Sequence, residues 1–221
     1  LLVRGLRLGE TDLSSDEVFS AYVAQLALPD LIAWLNQGDN PPLWELLLHG
    51  WTAWAGISET ALRWPALLFN VLTVIPVYLL GERYVDKYAG LTAALLFVVS
   101  SFGLFMAHEA RVYSLVGLLA SSAVYSYLRA AEAPQRWGWW IALGLCNALL
   151  LYSHYLAAWV LVVQGGLSLL HPGLRRRLGG RFWWQALGVT LLFAPQLPVL
   201  WRRLLDSGTQ GTWIPEVEGL E

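Results

Sequence analysis

Apolar runs of about twenty residues alternate with short charged segments along most of this chain, and about 20 apolar residues is what a helix needs to cross a bilayer. The pattern predicts spans over about 64–81, 88–107, 112–130, 137–152, 155–172 and 182–201. The apolar stretch from Trp137 to Leu174 is about twice one membrane's length, so it must break, and the polar cluster Tyr152-Ser153-His154-Tyr155 is the natural place. Ahead of these runs, residues 16–27 and 29–36 have helical spacing, with Ser14 or Ser15 and Asp30 available as caps. Pro41-Pro42 stops one element and can open the next. Leu43 to Ala55 is apolar but short and carries Glu45 and His49, which reads as a helix lying at the interface. Glu59 and Arg63, four apart, are expected to pair along a helix. The expected fold is all-α: a polytopic transmembrane helix bundle of about six spans over 61–203. It follows an external segment with juxtamembrane helices over 1–60 and leads into an external segment over 204–221. Both ends read as truncated, since the chain opens on Leu1-Leu2-Val3-Arg4 like the tail of an apolar segment.

Composition agrees. The chain is 57% hydrophobic and 14% charged, where a soluble domain carries about 25% charge. Its mean hydropathy is +0.50, and its 13 Trp and 9 Tyr suit helix ends in an interfacial belt. Cys146 is the sole cysteine, which excludes an intrachain disulfide and reads as a small buried hydrophobe. A net charge of −2 argues against a nucleic-acid partner.

Charge also orients the bundle. One set of loops holds eight basic residues (Arg83, Lys87, Arg129, Arg136, Arg175, Arg176, Arg177, Arg181) and three acidic ones (Glu82, Asp86, Glu132), a net of +5. Basic loops stay in the cytoplasm. The opposite side holds the remaining six basic and thirteen acidic residues, a net of −7.

Three polar clusters fall on that non-cytoplasmic side: Asp16-Glu17 followed by Asp39-Asn40-Pro41-Pro42; His108-Glu109-Ala110-Arg111 with Tyr113; and Ser153-His154-Tyr155. Ionisable groups at membrane level are retained mainly where they act, and alternate turns can bring all three clusters to one cavity. Each also has a plainer reading. Asp16-Glu17 can serve only as a cap and dipole device, and His154 can be a hydrogen-bonded interior residue. Glu109 and Arg111, two apart, cannot meet face to face on one helix. Metal-ligand spacing, a Gly-rich phosphate loop and a nucleophile elbow are all missing from the sequence.

At these residues the chain resembles the type C glycosyltransferases, specifically the bacterial relatives of protein O-mannosyltransferases and of the lipid A aminoarabinose transferase. The likeness covers nearly the whole chain, in order. It runs through Asp16-Glu17, Asp39-Asn40-Pro41-Pro42-Leu43-Trp44, Ala61-Leu62-Arg63-Trp64-Pro65-Ala66, the basic loop after Leu80-Gly81, His108-Glu109-Ala110-Arg111-Val112-Tyr113 and Tyr152-Ser153-His154-Tyr155. It ends with Ala194-Pro195-Gln196-Leu197-Pro198 and Gly211-Thr212-Trp213-Ile214-Pro215. The chain departs from the pattern at Asn40, where the family often has His, at His108, where it often has Gln, and at Ser15, where an apolar residue is usual.

The resemblance implies inverting transfer of a sugar from a polyprenyl-phosphate-linked donor to a lipid, glycan or protein acceptor, on the outer face of a bacterial inner or plasma membrane. In that reading Asp16 is the general base, with Glu17 beside it, and Arg111 stabilises the departing phosphate. Glu109, His108, Asp39, Asn40, Tyr113, His154 and Tyr155 complete a set for donor phosphate and sugar. The resemblance implies no certain cofactor, although some relatives use a divalent metal. A transporter or lipid permease with an external acidic site, or a noncatalytic membrane scaffold, are the competing expectations. The transporter predicts charges or helix breaks near mid-span, whereas the ionisable groups here cluster at one surface.

Overall fold

The computed structural model describes residues 2–5, 7–37 and 40–206, and every regular element among them is helical. Asp39 and the Gly211 to Pro215 string lie outside the described residues.

A single helical turn, α1 (Leu2–Gly5), precedes α2 (Ser15–Ala24). Ser14 starts α2 with a capping box: its hydroxyl accepts from the Glu17 N–H while the Glu17 carboxylate accepts from the Ser14 N–H. Pro29 sits in the first turn of α3 (Leu28–Leu35), and α4 (Leu43–Ala55) opens directly after Pro42. Ser58 caps α5 (Glu59–Tyr84), the longest helix described. Asp86 caps α6 (Lys87–Val99), which bends by 60° into α7 (Ser101–Ala107). Arg4 collects carbonyls at this bend: Nη1 donates to Gly103 at 3.3 Å, Nη2 donates to Phe97, and the guanidinium sits 4.6 Å from the Phe97 ring centre. Then follow α8 (Tyr113–Glu132), α9 (Trp137–Ser153) and a 3-10 turn (Tyr155–Ala157). α10 (Ala158–Leu170) leads to α11 (Pro172–Phe193), kinked at Gly179 where φ is 55°, a value glycine adopts without a Cβ penalty. A second 3-10 turn (Ala194–Gln196) leads into α12 (Leu197–Asp206).

The helical class is as expected, but six uninterrupted spans are not found. By length and apolarity α5 alone crosses a membrane among the described residues, or up to three spans result if each bent pair counts as one: α6 with α7, and Tyr155–Leu170 with Pro172–Leu205. The causes are local. Ser100 breaks the 88–107 run, its hydroxyl capping α7 through the Gly103 N–H. The polar residues Ser114, Ser121, Ser122, Ser126, Arg129 and Glu132 dilute α8. At 17 residues α9 is short, and Pro195 and Pro198 interrupt 182–201. The doubled stretch does turn at its polar cluster, where α9 stops and His154 is extended.

Small residues draw the bundle together around α8. Its buried stripe of Leu115, Leu119, Ala123, Tyr127 and Ala130 packs with Ala66 of α5, Leu143 and Leu150 of α9 and Phe182 of α11. Interior polar groups pair between helices: Asn147 Nδ2 donates to Gln164 Oε1 at 2.8 Å, and the hydroxyls of Tyr127 and Ser168 bond at 2.8 Å. Outside, Leu95, Leu96, Val99 and Phe102 are each more than 60% exposed. Large apolar side chains this exposed, on the helices α6 and α7, suit contact with lipid.

Between α5 and α6 the contact is backbone on backbone. A Cβ added at Gly81 of α5 would lie 2.7 Å from the Gly90 Cα of α6, and one added at Gly90 would lie 2.8 Å from the Tyr78 carbonyl oxygen and the Glu82 nitrogen. Small residues permit such approach in membranes. Gly81→Ala and Gly90→Ala are expected to cost about 1–3 kcal/mol each through overpacking, measured as lowered thermal stability of the full-length protein in detergent. Gly117→Ala, inside α8 with open space around it, should not destabilise and is expected to raise stability by up to about 1 kcal/mol.

Candidate functional site

The site is organised by Glu17, which is 1% exposed. Its Oε1 receives Arg63 Nε at 2.9 Å and the Ala110 N–H at 2.8 Å; its Oε2 receives Arg63 Nη2 at 2.9 Å and the Ser14 N–H at 2.9 Å. Four donors occupy four lone-pair positions, so no acceptor site is left for an incoming proton. Burial pushes this carboxyl up, but the bonds from Arg63, Ala110 and Ser14, with Arg63's charge, outweigh burial and hold it below its ordinary range. The Arg63 fork also reaches the carbonyls of Leu8, Thr11 and Asp12. One ion pair therefore joins α5, α2, the segment before α2 and the loop between α7 and α8. The expected Arg63 partner was Glu59; the bond is made instead to Glu17, because a buried bidentate pair in low dielectric outweighs a solvated i,i+4 pair.

The loop from His108 to Val112 is fixed at its centre. Ala110 donates its N–H to Glu17 and accepts Trp44 Nε1 of α4 at its carbonyl, 3.2 Å away. Arg111 follows directly. It donates to the Asp16 backbone carbonyl at 3.2 Å, and its Nη1 lies 3.4 Å from Asp16 Oδ2. Asp16 and Arg111, 95 positions apart, thus meet at the surface, with the Asp16 side chain 66% exposed and that of Arg111 mostly buried.

Arg111 continues a line of aromatic groups. Its guanidinium carbon is 6.0 Å from the Tyr113 ring centre, and the Tyr113 and His154 rings are 6.4 Å apart. Burial, and then the charge of Arg111, hold His154 below the usual histidine range, while its Nδ1 accepts the Leu156 N–H. Tyr155 lies apart from this line, its ring 5.6 Å from the Arg203 guanidinium. Asn40 is half-buried ahead of α4, and His108 donates through Nε2 to the Arg4 carbonyl at 2.7 Å, an anchoring contact.

A cleft of about 440 Å³ opens beside the ion pair, lined by Thr11, Asp12, Ser14, Glu17, Arg63, Ser101, Leu104, Phe105, His108 and Glu109. Burial raises the Glu109 carboxyl, and the nearby charge of Glu17 adds to the effect. Among the described residues no three His, Cys, Asp or Glu side chains gather to hold a metal ion.

Two site residues stand outside the sequence expectation for this chemistry. Arg63 looked like half of a solvated helix pair, and only its buried position after folding distinguishes it. Glu45 looked like the polar face of an interfacial helix. It is buried instead, 4% exposed, with Ser20 Oγ donating to Oε1 at 3.1 Å. A signal was present: an acidic residue inside the apolar run Leu43-Trp44-Glu45-Leu46-Leu47-Leu48 needs a specific reason to be there.

A helical bundle in which Asp16, Glu17, Arg63 and Arg111 are drawn together from separate elements fits an enzyme acting at a membrane surface. The family model of dolichyl-phosphate-mannose-protein mannosyltransferases matches residues 39–201, and the chain belongs to that family. Membership makes it a membrane glycosyltransferase of the type C class, mannosyltransferase-like. The match covers α4 through the first half of α12, including Arg63, Glu109, Arg111 and His154, and begins after Asp16 and Glu17. No curated protein and no solved structure matches the chain.

Removing one member of a buried ion pair strands the other. Glu17→Ala is expected to destabilise the full-length protein by about 3–5 kcal/mol, read as thermal unfolding in detergent. Glu59→Ala, at the start of α5 and outside the buried pair, should cost less than about 0.5 kcal/mol.

Proposed function

We propose that this chain carries the donor end of a glycosyltransferase that moves a sugar from a polyprenyl-phosphate-linked donor to a lipid, glycan or protein acceptor, with inversion, at the non-cytoplasmic face of a membrane. α5 to α12 then make about six passages, the bent and short ones completed by neighbouring helices. The orientation rests on the basic end of the bundle. There Arg83 and Arg129 share Glu132 at 3.0 and 2.7 Å, and Arg181 donates to the Pro134 carbonyl at 2.7 Å.

The observation that carries the reading is the meeting of Asp16 with Arg111. An acceptor hydroxyl needs a carboxylate to take its proton as its oxygen attacks the anomeric carbon. The bond from that carbon to the phosphate oxygen then breaks, and the leaving polyprenyl phosphate needs a fixed cation more than an acid. Asp16 is exposed enough to reach an acceptor, and Arg111 is held by a peptide clamped from two helices. With no donor bound, each serves as the other's counter-ion. A phosphate arriving on Arg111 would release Asp16 to act as base. Glu17 has the anchoring role, because its lone pairs are filled. Glu109, in the cleft and drawn toward its neutral form, is suited to a sugar hydroxyl; Tyr113 and His154 extend the surface beside Arg111, and Asn40 and Asp39 belong to the family's motif before α4.

Asp16→Asn in the full-length protein, assayed for sugar transfer from polyprenyl-phosphate donor in liposomes, is expected to lower kcat by about 10²–10⁴-fold with the fold intact. Arg111→Gln should raise the donor KM as well as lower kcat. Wild-type turnover in both well-folded variants would remove the assignment.

A further inference from the structure

Glu45 is a buried carboxyl that no step above uses. It is held between α2 and α4 by the Ser20 hydrogen bond at Oε1, and its Oε2 is buried without a hydrogen-bond partner. Its neighbour Trp44 bonds the Ala110 carbonyl, so the helix that carries Glu45 is tied to the peptide that precedes Arg111. The surrounding charges are otherwise committed. On α2, Glu17 is consumed by Arg63 of α5, and Asp16 is exposed and paired with Arg111. On α4 itself, His49 donates through Nδ1 to the Ala24 carbonyl at 2.9 Å. α9, packed on α4, has no charged residue. Arg111 is the cation whose field reaches Glu45.

A carboxyl placed this way has a consequence for Arg111. While neutral it leaves Arg111 to Asp16 and to any bound anion; once ionised it draws on the same guanidinium from the protein side. Burial pushes Glu45 up to about 7, against the opposing effects of the Ser20 bond and Arg111, which puts the change near neutrality. We propose that Glu45 is a positioning residue that sets, according to pH, how firmly Arg111 holds the phosphate of the lipid donor. This rests on the reading of Arg111 as the phosphate ligand.

The test uses the full-length protein in detergent, with a polyprenyl phosphodiester as probe, whose single charge does not change over the range, and reads its Kd between about pH 6 and about pH 8. The wild type should bind about fivefold or more weakly at the upper pH, the low end of coupling between linked sites. Glu45→Gln should hold the tighter affinity across the range. Ser20→Ala, which removes a bond favouring the ionised form, should move the transition to higher pH and serves if the Gln variant fails to fold. An infrared titration gives a readout that a tie between α2 and α4 would not move. A protonated carboxyl band titrating near neutrality should vanish in Glu45→Gln and titrate at higher pH in Arg111→Gln, where the stabilising cation is gone. A Kd that changes with pH equally in wild type and Glu45→Gln, or a band indifferent to Arg111→Gln, overturns the proposal. The two readings fail separately. A wild type that binds the polyprenyl phosphodiester with this pH dependence but transfers no sugar overturns the transferase reading alone. Asp16-dependent transfer with a pH-independent Kd overturns the Glu45 proposal alone.

Discussion

The buried pair of Glu17 and Arg63 is the constraint on which the arrangement of this surface depends. Two charges taken out of water cost several kcal/mol each, and the cost is recovered only where geometry is good and the remaining hydrogen-bonding positions are filled. Both conditions hold. The carboxylate takes a bidentate fork and two backbone amides, and the guanidinium spends its remaining donors on three carbonyls ahead of α2. Four separate pieces of chain are thereby set in one register, and one of them ends in Arg111.

From this follows a division of labour among three nearby carboxyls. Glu17 and Asp16 are adjacent on α2, yet one is buried and locked while the other faces solvent and touches Arg111. Glu45, on the facing helix, is buried but half-satisfied. Identical chemistry thus yields an anchor, a candidate base and a group poised near neutrality, and the differences arise from desolvation and hydrogen-bond count rather than from residue type.

Much of this was legible in the chain. Apolar run lengths marked out the helices, the Tyr152 to Tyr155 cluster marked a turn, and the ordered motifs pointed to the family that the match over 39–201 shows. What stayed hidden depends on tertiary placement. Spacing of four favours Glu59 as partner for Arg63, and nothing local announces that Glu17, 46 positions away, will win. The bend at Ser100 requires Arg4, at the other end of the described chain, to receive its carbonyls. Of the six or so spans expected, one to three meet the length and apolarity of a crossing helix, because Ser100, Pro195 and Pro198 divide apolar runs and serines dilute α8. Glu45 was visible as an acid in an apolar run, but its burial against Ser20 was not.

The central claim is that Arg111 and Asp16 form the reacting end of a donor site held by the Glu17–Arg63 pair. A structure of the full-length protein bound to a polyprenyl phosphate tests it most directly. The account predicts phosphate oxygens within hydrogen-bond distance of the Arg111 guanidinium, the Asp16 carboxylate released from Arg111 and facing open space, and the Glu17–Arg63 pair unchanged. A phosphate bound elsewhere, with Arg111 still on Asp16, would contradict it.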